Sequence, residues 1–342
     1  MMRRLAAALT LVLGLTPAAW SSDATHTILR WDDLNGWAED DHGAALDTFL
    51  NTCRDMRDPD WAALCRAAKV QTNARAFFEL FFRPVMIEDG KRTLFTGYFE
   101  PELRGSRYRG GPYQYPLYRL PEEAKDGPWL SRAAIEASGA LDGRGLEIAW
   151  IDDPVDVFFL QIQGSGRVKL DDGSALRVGY GGKNGHEYRS IGQELVRRGE
   201  YEAHQVSAQV IRNWVRRNGE EGRELLQHNP SFVFFREVSK VPWDKGPLGA
   251  MNRSITQMRS IAVDPKYVTL GTPVWIEKGG RDPLKRLMIA QDTGSAIKGA
   301  QRADIFYGTG TKAGLRAGRI KDGGRMITLM PIQRAYAMAG QI

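Results

Sequence analysis

Two aspartates lie near the carboxyl end of the chain, in a segment that could carry acid–base chemistry. Asp292 closely follows an apolar run at residues 287–290, and Asp304 directly precedes another at residues 305–307. Lys298 lies between them in a glycine-spaced stretch. Burial beside apolar groups raises the pKa of a carboxyl group, because burial disfavours the charged form. A carboxyl that keeps its proton near neutral pH could act as the acid in glycosidic bond cleavage.

A third acid occupies a similar position. Asp264 directly follows the apolar residues 261–263. Any one such aspartate could simply cap a turn. Three of them within one β-rich stretch favour a site that uses carboxyl groups.

A second candidate site is the segment QIQGSGR at residues 161–167. The preceding run, residues 155–162, has the β-branched and aromatic composition of a buried strand. On a strand, Gln161 and Gln163 would share one face, and their amides could bind sugar hydroxyl and N-acetyl groups. Alternatively, the segment forms an internal hydrogen-bonded turn. Ser165 with His186 as its base is a poor nucleophile candidate, because the spacing is not that of a nucleophile elbow.

Other chemistries have little support in the sequence. The five histidines form no H-E-x-x-H motif and no cluster with cysteine, so we predict neither a metal nor another cofactor. The segment GTGTK at residues 308–312 lacks the spacing of a phosphate-binding loop. The net charge is +6 without any basic run of five residues, so nucleic acid is not an expected partner.

The amino terminus predicts export. Arg3 and Arg4 precede an apolar run at residues 5–15, and small residues follow, which is the pattern of a secretory signal peptide. We expect cleavage between Ala19 and Asp23 and a soluble exported protein, since no cysteine closely follows the apolar run to carry a lipid. Cys53 and Cys65 could bridge two helices in an oxidising compartment, or remain as two reduced core thiols.

The predicted elements indicate an α+β fold in which the middle of the chain is an insertion. Strands cluster before about residue 100 and after about residue 232. Helices are predicted at residues 44–53, 61–70, 73–82, 190–198, 207–217, 222–227 and 311–317. Strands are predicted at residues 93–99, 155–162, 168–170, 175–178, 232–236, 259–263, 271–276, 286–290 and 326–330.

Several longer segments together resemble the lytic murein transglycosylase A family. RSIAVDP (259–265), LGTPVWI (270–276), AQDTGSAIKG (290–299) and RADIFYG (302–308) are similar to its three-aspartate domain. FTGYFEP (95–101), LQIQGSGR (160–167), YGGKNGHEYRSIG (180–192) and NPSFVFF (229–235) are similar to the rest of that family. The glycine pair that the family has after the acid at the position of Asp292 is Gly294–Ser295 here, and the family's lipid-carrying cysteine is absent.

The resemblance implies a double-psi β-barrel domain with an inserted, smaller β domain, and a glycan groove between them. The corresponding boundaries are 1–22 for the signal peptide, 23–104 for the helices and first part of the barrel, 105–231 for the insertion and 232–342 for the rest of the barrel. The implied location is the periplasm, and the implied partners are peptidoglycan strands and unidentified proteins of wall remodelling.

The resemblance also implies the chemistry. Asp304 matches the family's catalytic acid, which cleaves the β-1,4 bond between N-acetylmuramic acid and N-acetylglucosamine and leaves a 1,6-anhydro end. The expected substrate-binding residues are Tyr98, Gln161, Gln163, Ser165, Tyr188, Asp292 and Lys298. Two alternatives remain: an inverting hydrolase that uses Asp304 with Asp292, and a non-catalytic glycan-binding module built on Gln161, Gln163, Tyr98 and Tyr188.

Overall fold

The computed structural model describes residues 24–56 and 58–340. The predicted signal peptide lies outside these residues. The helices are α1 (His42–Thr52), α2 (Pro59–Ala68), α3 (Ala74–Phe81), α4 (Arg132–Ser138), α5 (Pro154–Gln163), α6 (Ile191–Arg197), α7 (Ala208–Arg217), α8 (Gly219–Gln227), α9 (Thr311–Ala317) and α10 (Ile332–Met338). Among the described residues, no helix combines the length and the apolar composition needed to cross a membrane.

Two sheets divide the strands. The strands are β1 (Thr25–Ile28), β2 (Phe82–Glu88), β3 (Leu94–Glu100), β4 (Glu102–Ser106), β5 (Tyr115–Tyr118), β6 (Glu147–Ile151), β7 (Gly166–Leu170), β8 (Ala175–Lys183), β9 (Val233–Glu237), β10 (Ser260–Val263), β11 (Pro273–Lys278), β12 (Leu284–Asp292), β13 (Arg302–Thr309), β14 (Lys321–Asp322) and β15 (Gly324–Pro331). The first sheet has the order β1-β2-β15-β11-β12-β10-β13-β3-β14, and the second has the order β5-β6-β4-β7-β8-β9. The predicted α+β fold class is therefore confirmed.

The first sheet contains strands from both ends of the chain, and the second comes from the middle. In the second sheet, β4 crosses the predicted domain boundary at residues 104/105, and β9 lies beyond the one at residues 231/232. The apolar pattern of β9 matches that of the strands after it, so sequence alone could not show which sheet it joins. The sheets change over at Pro101 and after Glu237, while the division into domains stays a prediction.

Strand register brings the two acids together. Ala262 of β10 pairs with Asp304 of antiparallel β13 and with Asp292 of parallel β12. Thr96 of β3 pairs with Asp304 from the other side of β13. Residues 287–290 of β12 are fully buried, so their apolar side chains hold these strands in the core of the first sheet. The acids therefore lie on a rigid support.

The amino-terminal helices cover part of the first sheet. Phe49, Phe77, Phe78 and Trp275 are buried in one apolar cluster that joins α1 and α3 to β11. The predicted cap at Asn73 is present, since its side chain accepts a hydrogen bond from the Ala76 amide at 3.0 Å. These helices thus complete the core of the first sheet.

Cys53 and Cys65 form a disulfide across 12 residues of sequence, which confirms the predicted bridge between α1 and α2. Because the bond restricts the unfolded chain, we expect its reduction to lower the free energy of unfolding by ~3 kcal/mol. Thermal melting with and without a thiol reductant measures this. A Cys53→Ser/Cys65→Ser variant should have the lower melting temperature both with and without the reductant. A wild-type melting temperature that stays the same although the disulfide is shown to be reduced would contradict the prediction.

The predicted strand at residues 155–162 is wrong, because this segment is the helix α5. Asp153 caps it by accepting a hydrogen bond from the Val155 amide at 2.7 Å, and Pro154 occupies its first turn. Gly164 ends it in the left-handed region with φ of 77°. These caps were the local signal for a helix. The β-branched and aromatic composition of the run reflects burial against α6, α7 and α8.

Candidate active site

A cavity of about 250 Å³ lies between the two sheets. Strands β3, β12 and β13 of the first sheet form one side, and α4, α5 and the start of β9 form the other. Its lining residues are Gly97, Tyr98, Arg132, Gln161, Ile162, Gln163, Tyr188, Asn229, Ser231, Val233, Ala262, Asp292, Thr293, Gly294, Ser295, Ala296, Ile297, Arg302 and Asp304.

Asp304 is a partly buried carboxyl group in this cavity. The hydroxyl of Thr96 donates a hydrogen bond to its Oδ1 at 2.6 Å. Burial raises the pKa of Asp304, and the hydrogen bond from Thr96 and the charge of Arg302 oppose this rise without cancelling it. Asp304 therefore holds its proton to a higher pH than an ordinary aspartate does.

Asp292 is held by three donors. The Tyr98 hydroxyl donates to its Oδ2 at 3.0 Å, and the amides of Ala250 and Thr293 donate to its Oδ1 at 3.0 and 2.9 Å. Burial raises the pKa of Asp292 to about 6; the hydrogen bonds lower it, and the charge of Asp304 adds to the rise. Burial also raises the pKa of Tyr98 well above its ordinary value, so Tyr98 remains a donor. The orientation of Asp292 is thus fixed.

Arg132 orders the opposite side of the cavity. Its buried guanidinium donates to the Gln161 side chain and to the carbonyls of Ser231 and Asn229, the latter two at 2.8 and 3.2 Å. Burial lowers the pKa of Arg132 to about 10. The cation also lies 4.7 Å from the ring centre of Phe158, which places its charge against an aromatic face. The result is a fixed polar surface beside the glutamine amide.

Gln163 connects the two sides of the cavity. Its Oε1 accepts a hydrogen bond from the Phe99 amide of β3 at 3.0 Å, although Gln163 itself lies on α5. Residues two apart on a helix do not share a face, so the predicted strand platform of Gln161 and Gln163 is wrong in its geometry. Both nevertheless line the cavity, because it lies at the carboxyl end of α5.

Comparison with known proteins shows the family. Residues 94–236 match the MltA specific insert domain, and residues 259–330 match the 3D domain. The chain is 38% identical over 260 residues to membrane-bound lytic murein transglycosylase A of Vibrio cholerae. The aligned region covers 72% of this chain and 68% of that protein. The chain belongs to the family of membrane-bound lytic murein transglycosylase A. It is accordingly an enzyme, a lytic murein transglycosylase.

Solved structures agree with this membership. A membrane-bound lytic murein transglycosylase from Agrobacterium tumefaciens superposes with a TM-score of 0.82 at 33% identity, over 92% of this chain and 99% of that chain. MltA of E. coli with bound chitohexaose superposes with a TM-score of 0.72 at 30% identity, over 90% of this chain and 94% of that chain.

In this transglycosylase, most of the predicted site residues come together. The cavity collects Tyr98, Gln161, Gln163, Tyr188, Asp292 and Asp304. Ser165 is buried and Lys298 is exposed, and neither lines the cavity. Their predicted roles in substrate binding are therefore the least supported.

Asp264 has a different place from the other two acids. Its buried carboxylate accepts hydrogen bonds from the backbone amides of Lys266 and Gly299, at 3.1 and 2.9 Å, and does not line the cavity. It thus fixes the turn that follows β10 to the loop before β13. Within the described part of the chain, no group of three or more His, Cys, Asp or Glu side chains is arranged to hold a metal ion.

Sequence reasoning missed Thr96, Arg132 and Arg302. Thr96 lies 208 residues from Asp304, and only the parallel pairing of β3 with β13 brings them into contact. Arg132 lies in a surface-like segment, and its partners are mostly distant carbonyl groups without sequence signal. Arg302 precedes Asp304 by two residues on one strand, so its shared strand face was the available signal.

Proposed function

We propose that the protein cleaves the glycan strands of peptidoglycan at the β-1,4 bond between N-acetylmuramic acid and N-acetylglucosamine, with Asp304 as the single acid and base. The observation that carries the proposal is the partly buried Asp304 carboxyl of raised pKa, in a cavity between the two sheets. The chitohexaose bound to the related MltA of E. coli supports a sugar polymer as the ligand.

The reaction begins with protonated Asp304. Its proton passes to the oxygen of the leaving sugar while the glycosidic bond breaks, and positive charge develops at C1 of the muramic sugar. The 2-acetamido group of that sugar and nearby dipoles stabilise this charge. The Asp304 carboxylate then accepts the proton of the C6 hydroxyl, and O6 bonds to C1. The product is a 1,6-anhydro end, no water is consumed, and Asp304 is protonated again.

Asp292 would have a supporting role in this scheme. An inverting hydrolase needs its second carboxylate to activate a water molecule. Both Asp292 oxygens already accept hydrogen bonds, from Tyr98 and from two backbone amides. This arrangement favours Asp292 as a fixed charge near the developing positive centre over Asp292 as a base.

The proposed location is the periplasm, where the peptidoglycan strands lie. The disulfide between Cys53 and Cys65 supports an oxidising compartment, because cytosolic thiols are kept reduced. The predicted signal peptide agrees with this location. A thiol assay on the denatured but unreduced protein, with no free thiol expected, would check the disulfide that supports this location.

Product analysis tests the function directly. Purified peptidoglycan is digested with the wild-type protein in water enriched in heavy oxygen, and the soluble fragments are examined by mass spectrometry. Transglycosylation yields ends lighter by one water and without the label. Hydrolysis yields reducing ends that carry the label, which would make Asp292 the base. If the protein binds glycan but releases no fragments, the alternative of a non-catalytic glycan-binding module would be supported.

Asp292→Asn should reduce turnover by roughly tenfold, since the amide keeps the acceptor for the two backbone amides but loses the charge. Steady-state release of soluble fragments measures the effect. Asp292→Ala, which also loses the acceptor, should be worse. A loss equal to that of Asp304→Asn would instead support two catalytic carboxylates.

A further inference from the structure

The hydroxyl of Thr96 lies between Arg302 and Asp304. Arg302 Nη2 donates a hydrogen bond to Thr96 Oγ1 at 2.8 Å, and Oγ1 is 2.6 Å from Asp304 Oδ1. A guanidinium can only donate, and a threonine hydroxyl has a single proton. Since Oγ1 accepts from Arg302, its own proton must be directed elsewhere, and Asp304 Oδ1 is the acceptor in contact. The hydrogen bonds therefore run in one direction, from Arg302 through Thr96 to Asp304.

This direction has a consequence for the carboxyl group. As long as Thr96 remains the donor to Oδ1, as it is in this structure, the proton of the neutral acid lies on Oδ2. We infer that Thr96 and Arg302 are positioning residues that confine the transferable proton of Asp304 to Oδ2, so that this one oxygen performs both proton transfers. The inference rests on the proposed acid–base role of Asp304.

Arg302 is anchored to the backbone and reaches Asp304 through the Thr96 hydroxyl. Arg302 Nη1 also donates to the carbonyls of Ala303 and Leu94, at 2.6 and 3.3 Å, which fixes the guanidinium to the backbone. A direct ion pair between arginine and aspartate typically lowers a carboxyl pKa by about 1 to 3 units. Contact through Thr96 orients the carboxyl while the pKa of Asp304 stays raised.

The other groups around the cavity do not compete for Oδ2. Tyr98 donates to Asp292, and Asp292 accepts from Tyr98 and from two backbone amides. Arg132 donates to Gln161 and to carbonyl groups on the opposite side. Within the described residues no hydrogen bond engages Oδ2, so this oxygen of a cavity-lining carboxyl is free to contact a substrate.

The decisive experiment compares Thr96→Val with Thr96→Ser. Thr96 does not line the cavity, so both variants should keep the wild-type KM for peptidoglycan fragments. Thr96→Val keeps the shape but cannot donate; we expect kcat to fall roughly 10- to 100-fold. We also expect the alkaline limb of the kcat profile to move up by about one pH unit, because the charged form of Asp304 loses a donor. Thr96→Ser, which keeps the hydroxyl, should retain the wild-type kcat and the wild-type position of the alkaline limb.

Arg302→Met supplies the second test. It frees the Thr96 hydroxyl to rotate, so its kcat loss should not add to that of Thr96→Val in the double variant. Additive losses, an unshifted pH profile in Thr96→Val, or Thr96→Ser as impaired as Thr96→Val would each overturn the inference. If Thr96→Val does not fold, Thr96→Ala takes its place. Residual turnover in Asp304→Asn would instead contradict the proposed function, whatever the Thr96 variants show.

Discussion

Asp304→Asn is expected to fold normally and to lose turnover by at least roughly 10³-fold. The amide can neither give a proton to the leaving oxygen nor take one from the C6 hydroxyl, so both halves of the proposed reaction fail. It still accepts the hydrogen bond from Thr96, which leaves the local structure intact. The measurement is the rate of anhydro-ended fragment release from purified peptidoglycan. Turnover within tenfold of the wild type would exclude Asp304 as the acid.

Stability provides the control for this variant, with a definite sign. Burial raises the pKa of Asp304 in the native state above its value in the unfolded chain, so the native state binds this proton more tightly. The wild-type protein therefore loses this stabilisation as pH rises from the unfolded pKa through the raised native pKa. An amide does not ionise. The melting temperature of Asp304→Asn should consequently rise relative to that of the wild type across this range.

Glu100→Gln is expected to cost about 3 to 5 kcal/mol of folding free energy, the largest loss of stability that we predict for a single polar side chain. The Glu100 side chain is 0% exposed and joins the two sheets. Its Oε2 accepts from Arg167 at 2.8 Å and from Thr309 at 2.8 Å, and its Oε1 lies 2.8 Å from Arg177 Nε. Arg177 is only 2% exposed, so removal of the carboxylate leaves a buried cation without its counter-ion.

Denaturant unfolding followed by fluorescence measures this loss. The matched control is Glu102→Gln, two residues along the chain, whose carboxylate pairs with the 64%-exposed Lys169 at 3.3 Å. That surface pair should contribute less than about 1 kcal/mol. Equal midpoints for the two variants would show that the buried cluster does not stabilise the junction of the sheets.

Local chemistry in the sequence was sufficient for much of the fold. Helical spacing and the cap at Asn73 predicted α3, and the apolar run at residues 286–290 predicted β12, which ends at Asp292. The strand that carries Asp304, β13, was not among the predicted strands. The same reasoning failed at α5, where residues that favour strands are buried within a helix because Asp153 and Gly164 cap it. Intrinsic preferences are weak priors, and tertiary packing overrode them there.

The sequence by itself determined which residues could do chemistry: two aspartates at the edges of apolar strands, in motifs of a recognisable family. Only the tertiary structure decided what each of them contacts. The hydrogen bond from Thr96 to Asp304 spans 208 residues, and that from Tyr98 to Asp292 spans 194. Both contacts lie within the first sheet, and they depend on the order of its strands and on the register between them. Neither leaves a local trace in the sequence, because the energies that fix them are summed over the whole core.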